Sequence, residues 1–137
     1  MKLHRKRKIY LKEQNMKRIK DILLYLWQLP QNLLGLLFLL FLSGEQRHKL
    51  GDITFYNCKG FRGGISLGSY IIVGSKWEKT VKHEYGHCRQ SMMLGWLYLI
   101  VVGLPSILHA AICACRKHSY HDFYVEAWAD NLGNVKR

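Results

Sequence analysis

The chain has 137 residues and a formal net charge of +12, with 21 Lys and Arg residues against nine Asp and Glu residues. This length corresponds to one domain, so any active site must be built from a few helices and a short sheet. The positive charge suits nucleic acid or an anionic membrane surface, and the distribution of the charges separates these two classes of partner.

The N-terminal segment, residues 1–21, is strongly basic and runs directly into an apolar stretch. It carries nine Lys or Arg and two acidic residues, and residues 22–42 (ILLYLWQLPQNLLGLLFLLFL) follow it. This order is typical of membrane association, so we expect anionic lipids as a partner and no nucleic acid. The apolar stretch is long enough to span a bilayer, but Pro30 interrupts it. We favour a hairpin with Pro30 at its apex over a simple span.

The middle of the chain predicts a small antiparallel sheet followed by a helix. Residues 52–58 (DITFYNC) and 65–74 (ISLGSYIIVG) have the composition of strands, and the turn-rich sequence KGFRGG lies between them. The sequence SKWE at 75–78 has the spacing of a capping box. It predicts one long helix from about Lys76 to Gly103.

A second apolar stretch, residues 92–115 (MMLGWLYLIVVGLPSILHAAICAC), is also long enough to span a bilayer. The sequence GLPS at 103–106 interrupts it, so a kinked span, a re-entrant hairpin and a buried pair of core helices all remain open. The sequence SYHD at 119–122 then repeats the capping signal before a last helix, which should end at Gly133.

The most informative sequence is H-E-x-x-H at residues 83–87, within the long predicted helix. Histidines four apart share one helical face, so His83 and His87 can reach one metal ion, while Glu84 lies beside a metal-activated water as a general base. Hydrolytic zinc needs a third protein ligand, and Glu126 on the last helix can supply it. Asp130, one turn later, can orient a ligating histidine by a hydrogen bond.

H-E-x-x-H followed by E-x-x-x-D on a later helix resembles the gluzincin zinc peptidases. The E-A-x-A-D sequence and the membrane setting are similar to the branch of CAAX prenyl proteases and heat-shock membrane peptidases, and to small uncharacterised bacterial membrane proteins. The resemblance implies a zincin-like minimal core with one Zn²⁺ per chain and a peptide or protein substrate. It implies that His83, His87 and Glu126 are ligands, that Glu84 is the base, and that Asp130 supports a ligand.

A shared metal also constrains the topology. If residues 92–115 crossed the bilayer, His83 and Glu126 would lie on opposite sides of it, so a re-entrant hairpin is the consistent membrane arrangement. Basic residues number nine in 1–21, eight in 43–91 and four in 116–137, so no flank resembles a translocated loop. We therefore expect the site at a bacterial cell membrane, facing the cytoplasm.

Two further sets of candidate residues are expected, one from the resemblance and one from the chemistry of hydrolysis. Gluzincins carry an edge strand for the substrate just before the active helix, which indicates Gly68, Ser69 and Tyr70, although this apolar run is equally consistent with core. Hydrolysis also needs a hydrogen-bond donor for the tetrahedral intermediate, although aromatic residues on helices more often pack in a core. Three side chains near Glu126 are candidates: Tyr120, His121 and Tyr124.

The sequence as a whole predicts an α+β fold. The expected organisation is a basic segment at 1–21, a membrane segment at 22–42, and a metallopeptidase core at 43–137 that contains the apolar hairpin at 92–115. The expected function is zinc-dependent peptide-bond hydrolysis at a membrane surface. The alternative is a catalytically silent, zinc-stabilised membrane adaptor or sensor, which would not need Glu84.

Overall fold

The structure is a computed structural model that describes residues 2–42, 45–74, 78–116 and 122–136. Within these ranges five α-helices accompany a four-stranded sheet, which confirms the α+β class. The α-helices are α1 (Lys2–Trp27), α2 (Leu29–Phe41), α3 (Glu78–Leu94), α4 (Leu104–Arg116) and α5 (Tyr124–Leu132). The strands are β1 (Glu45–Leu50), β2 (Ile53–Cys58), β3 (Gly64–Leu67) and β4 (Tyr70–Val73).

The sheet has the strand order β1-β2-β4-β3 and is mixed. The pairs β1–β2 and β3–β4 are antiparallel, whereas β2 and β4 run parallel. The prediction of a purely antiparallel sheet is therefore wrong. The reason lies at Gly68, whose φ of +63° turns the predicted strand 65–74 into a tight hairpin of β3 and β4. The return strand β4 then enters the sheet beside β2.

Strand β1 has the sequence EQRHKL and was not predicted. Its polar and charged residues lack the alternation of a half-buried strand, but charged side chains are common on an edge strand, where they oppose pairing with other chains. His48 stacks on Phe55 of β2, with ring centroids 5.5 Å apart. Pairing with β2 therefore stabilises a strand that has little apolar character of its own.

The two faces of the sheet are covered by different helices. Helix α3 packs on one face, where Ile71 and Val73 of β4 meet Val81 and Cys88. Helix α2 packs on the other face, where its Leu39 joins a second buried cluster. Helix α3 is therefore fixed against the sheet along its length, and this positions the predicted metal-binding residues.

Helices α1 and α2 meet at a bend of 84°. The bend lies at Gln28, and Pro30 occupies the first turn of α2, where a missing N–H costs no helical hydrogen bond. The polar residues at the bend are buried and bonded: Gln31 Nε2 donates to the carbonyl of Gly95, and the Ser91 hydroxyl donates to Gln28 Oε1. These contacts join the bend to the end of α3.

The predicted long helix ends at Leu94, well before Gly103. Gly95 has φ +53°, a left-handed conformation that stops α3, and a 3₁₀ turn and a π-helical turn follow. The chain then bends by 120°, so the break in the second apolar stretch lies at Tyr98, before the GLPS sequence. Pro105 instead occupies the first turn of α4.

Among the described residues, no single helix combines the length and the apolar character needed to cross a bilayer. The bent pairs α1–α2 and α3–α4 reach that length and composition only when both helices of a pair are counted together. Helix α5 ends at Leu132 and Gly133 follows as its cap, as predicted. The capping sequences at 75–78 and 119–122 lie largely outside the described residues.

Candidate metal centre

Two glycines allow α3 and α5 to pack closely. A β-carbon at Gly86 would collide with the carbonyl oxygen of Ala129, and one at Gly133 would collide with the carbonyl oxygen of Lys82. Gly86 is the fourth residue of the H-E-x-x-H sequence. The missing side chain at this position therefore brings the last helix close enough for its residues to reach both histidines.

Three ligand atoms converge between the two helices. The Nε2 atoms of His83 and His87 each lie 3.1 Å from Oε2 of Glu126. The three atoms lie within 4.8 Å of one another, and Glu126 has no exposed surface. The two imidazole rings stand edge to face with centroids 4.8 Å apart. These three residues form a buried group that can hold a metal ion.

The hydrogen bonds on the far side of each imidazole fix its tautomer. His83 Nδ1 lies 2.6 Å from Asp130 Oδ1, and an ionised carboxylate can only accept, so Nδ1 is the donor. His87 Nδ1 lies 2.7 Å from Gln90 Oε1, and Nε2 of that amide donates to the carbonyl of Val125. In the neutral rings both Nε2 lone pairs therefore point at a carboxylate. That arrangement is repulsive unless a cation lies between them.

The pKa shifts of these residues also indicate that a positive charge is favoured between them. Burial lowers the pKa of His83, but hydrogen bonds to Glu126 and Asp130 and the charge of Glu84 outweigh burial, so the pKa is raised. Burial raises the pKa of Glu126, but hydrogen bonds with His83, His87 and Ser106 outweigh it and hold the pKa far below its usual range. The site therefore favours positive charge where the three atoms meet, whether a proton or a metal ion carries it.

The second oxygen of Glu126 is held by α4. The hydroxyl of Ser106 donates to Oε1 at 2.5 Å, which leaves Oε2 directed at the two histidines. Ser106 lies at the start of α4, after the 120° bend. The return of the chain at this bend therefore fixes the orientation of the Glu126 carboxylate, as a hydrogen bond behind a ligating carboxylate does in metal sites.

Glu84 lies beside the group and faces β3. It is buried, and a β-carbon at Gly64 would come within 2.5 Å of its Oε1. Burial raises the pKa of Glu84, the two histidines lower it, Glu126 raises it, and the net shift is upward. The side chain lines two adjoining cavities of about 680 and 440 Å³. A carboxylate with a raised pKa in a cleft is suited to accept a proton.

The structure does not place the residues of the predicted substrate strand on an edge strand. Gly68 and Ser69 form the turn of the β3–β4 hairpin, and Tyr70 begins β4, which is an inner strand. The edge strand beside α3 is β3 instead, and it was missed because the hairpin was taken as one strand. Tyr124 is 59 % exposed, and its ring meets that of Phe123 edge to face. Tyr120 and His121 lie outside the described residues.

Gln90 and Ser106 contact the group of His83, His87 and Glu126 and were not predicted. Gln90 follows His87 by three residues on α3, so helical spacing placed a polar side chain on the same face as the histidines. Ser106 gave no such signal, because it follows Pro105 in a sequence that indicates only a helix break. Its contact with Glu126 depends on the bend that folds α4 back towards α5.

Comparisons of the chain with protein-family models, with curated proteins and with solved structures give no match.

Proposed function

We propose that this protein is a zinc-dependent peptidase that acts at a membrane surface. The carrying observation is the convergence of two histidine Nε2 atoms and Glu126 Oε2 at 3.1 Å, with Glu84 buried beside them. Two imidazoles and one carboxylate leave a fourth position open on a tetrahedral ion, which is the ligand set of hydrolytic zinc. The gluzincin resemblance of the sequence agrees with this ligand set.

In the proposed reaction, Glu84 transfers the proton, and Asp130 and Gln90 orient the two histidines. When bound, zinc would polarise the substrate carbonyl and lower the pKa of a water molecule. Glu84 takes a proton from the attacking water and delivers it to the leaving nitrogen, so a C–O bond forms as the peptide C–N bond breaks. Asp130 and Gln90 keep the Nδ1 atoms of the two histidines protonated and their rings oriented.

Strand β3 supports an extended peptide as the substrate. It is the edge of the sheet next to α3, and its register pairs Ile65 with Ile72 and Leu67 with Tyr70. The hydrogen bond from Gly74 N to Gly63 O extends the same register. Because bonded and non-bonded residues alternate in an antiparallel pair, Gly64 and Ser66 direct their backbone groups outward, towards the cleft. The Tyr98 hydroxyl already donates to the Ser66 carbonyl at 3.4 Å, so a substrate strand that pairs there beside Glu84 would share or replace this bond.

The membrane part of the proposal rests on exposed apolar side chains. Leu40 and Phe41 at the end of α2 are 73 % and 87 % exposed, and a soluble surface rarely carries many such residues together. Others lie on α2 itself, on the turns that follow α3 and on α4: Leu36, Leu37, Trp96, Leu97, Ile100, Leu104, Ile107, Leu108 and Ile112. With the basic helix α1, these residues suit insertion into an anionic surface.

Flotation with vesicles tests the membrane part. Vesicles that contain phosphatidylserine should carry the detergent-free protein, and phosphatidylcholine vesicles should carry less of it, because the basic helix adds electrostatic attraction. A protein that stays in the aqueous fraction with both kinds of vesicle contradicts this part of the proposal. The proposal that the site faces the cytoplasm is based on the distribution of basic residues alone.

Hydrolysis of a peptide library, followed by mass spectrometry, tests the enzymatic part. The zinc-loaded parent should cleave peptides, and Glu84→Gln should lose at least about 100-fold in rate, because removal of a general base typically costs 10²–10⁴-fold. Glu78→Ala is the matched control, since Glu78 is an exposed acid on the same helix that pairs only with Lys82 among the described residues. Equal hydrolysis by the parent and by Glu84→Gln would contradict the role of Glu84 as the base, and no products above background from the parent would instead favour the silent zinc-stabilised adaptor.

A further inference from the structure

The cleft beside Glu84 has two arms of opposite chemical character. The arms share Gly64, Glu84 and Ala110, so the proposed base lies where they meet. One arm runs along β3 towards the bend between α3 and α4, and the other runs past the start of β3 towards the first turn of α3. A bound peptide strand would cross both arms, with its cleaved bond near Glu84.

The arm towards the bend is apolar. Its walls include Leu67 of β3, Leu99 of the π-helical turn, and Leu104 and Ile107 of α4. Leu104 and Ile107 are also 54 % and 67 % exposed, so this arm opens onto the apolar surface of the molecule. It offers several aliphatic contacts, each of which favours an apolar side chain over a polar one.

The other arm is basic. Arg62 and Lys79 line it from either side of the cleft, both are exposed, and neither forms an ion pair within the part of the chain that the structure describes. Glu84, at the junction, is the only acidic residue among the described residues that line this arm. Two unpaired positive charges around one cavity attract a carboxylate.

The direction of β3 determines which end of a bound peptide lies in each arm. The strand runs from the basic arm at Gly64 to the apolar arm at Leu67. An added antiparallel strand, the more stable pairing, would place its N-terminal residues in the apolar arm and its C-terminal residues in the basic arm. We propose that the cleft selects peptides with aliphatic residues before the cleaved bond and carboxylates after it. This inference rests on the proposed function, because it assigns the substrate of that site.

Binding to the zinc-loaded Glu84→Gln variant tests the inference without requiring turnover. Two labelled peptides of the same composition are compared by fluorescence anisotropy: one has leucines before aspartates, and the other has aspartates before leucines. The first should bind about tenfold more tightly. Adding Arg62→Glu and Lys79→Glu should remove this preference and favour a leucine–lysine peptide. Lys49→Glu with Lys59→Glu is the control, because it reverses two exposed charges away from the cleft.

Equal binding of the two peptide orders, or no binding of either, overturns the inference. An unchanged preference after reversal of Arg62 and Lys79 also overturns it, provided that circular dichroism shows an intact fold. The proposed function fails separately. If the ordered peptide binds preferentially but the parent protein cleaves no peptide, the assignment of the cleft stands and hydrolysis falls. If the parent cleaves peptides of either order equally, hydrolysis stands and the selectivity falls.

Discussion

Replacement of Gly86 by alanine should damage the metal centre without touching a ligand. The β-carbon of alanine would lie 2.6 Å from the carbonyl carbon of Ala129, whereas ordinary contacts begin at 3.4 Å. The obstacle is backbone and the carbonyl oxygen of Ala129 lies nearer still, so α5 must retreat by at least about 0.8 Å, the difference between these two distances. Metal–ligand distances tolerate about 0.2 Å, and Glu126 moves with α5. We expect zinc affinity to fall at least about 100-fold, since even changes behind the ligands cost 10- to 100-fold.

The folded state should survive this change. Overpacking costs about 1–3 kcal/mol and the gain in helix propensity returns about 1 kcal/mol, so the free energy of unfolding should fall by about 0–2 kcal/mol. Competition with a chromophoric chelator measures the affinity, and urea unfolding of the metal-free protein measures the stability. Gly103→Ala is the matched control, because its β-carbon would meet ordinary contacts from 3.7 Å. Equal zinc affinity in Gly86→Ala and Gly103→Ala would refute the reasoning.

Three further predictions concern single features of the site. Gly64→Ala should lower the hydrolysis rate at least about tenfold with zinc content unchanged, because the atoms nearest to the new methyl group are Oε1, Cγ and Cδ of the Glu84 side chain, which must move; loss of zinc in this variant would contradict that account. Ser106→Ala should weaken zinc binding about 10- to 100-fold by freeing Oε1 of Glu126, and calorimetry would contradict this if the affinity were unchanged. Zinc needs the unprotonated ring of His83, so protons compete with zinc as the pH drops through the raised pKa of this residue. The zinc affinity should then fall about tenfold per pH unit for each competing proton. Titrations from pH 8 to 5.5 should place the onset above the ordinary histidine pKa of about 6.5, and an onset below it would contradict the shift.

Much of the site could be predicted because helical spacing is local. Residues four apart share a helix face, so the positions of His83 and His87 follow from their spacing, as Glu126 and Asp130 follow from theirs. The structure brings these four residues together. No such local rule predicts the contact between helices α3 and α5. The signal for it was Gly86, whose meaning appears only when the backbone of α5 lies against it.

The parts of the fold that were mispredicted depend on tertiary contacts. The sequence ISLGSYIIVG has the composition of one strand, and only Gly68 marked the turn that divides it. Strand β1 forms from polar residues because β2 supplies its hydrogen-bond partners. The second bend lies before Pro105 because Gly95 ends α3 in a left-handed conformation. In the two apolar segments the apolar pattern was correct and a glycine decided the geometry, whereas β1 has no such pattern and depends on the neighbouring strand.

The zinc content of the purified protein tests the central claim most directly. Atomic emission should find about one zinc per chain in the parent, in Glu84→Gln and in the exposed control Glu78→Ala, because none of these changes removes a ligand. Glu126→Ala should lose most of its zinc, since the site would then keep only the two histidines as protein ligands. A correctly folded parent without stoichiometric metal, or a Glu126→Ala variant that retains it fully, would contradict the three-ligand centre.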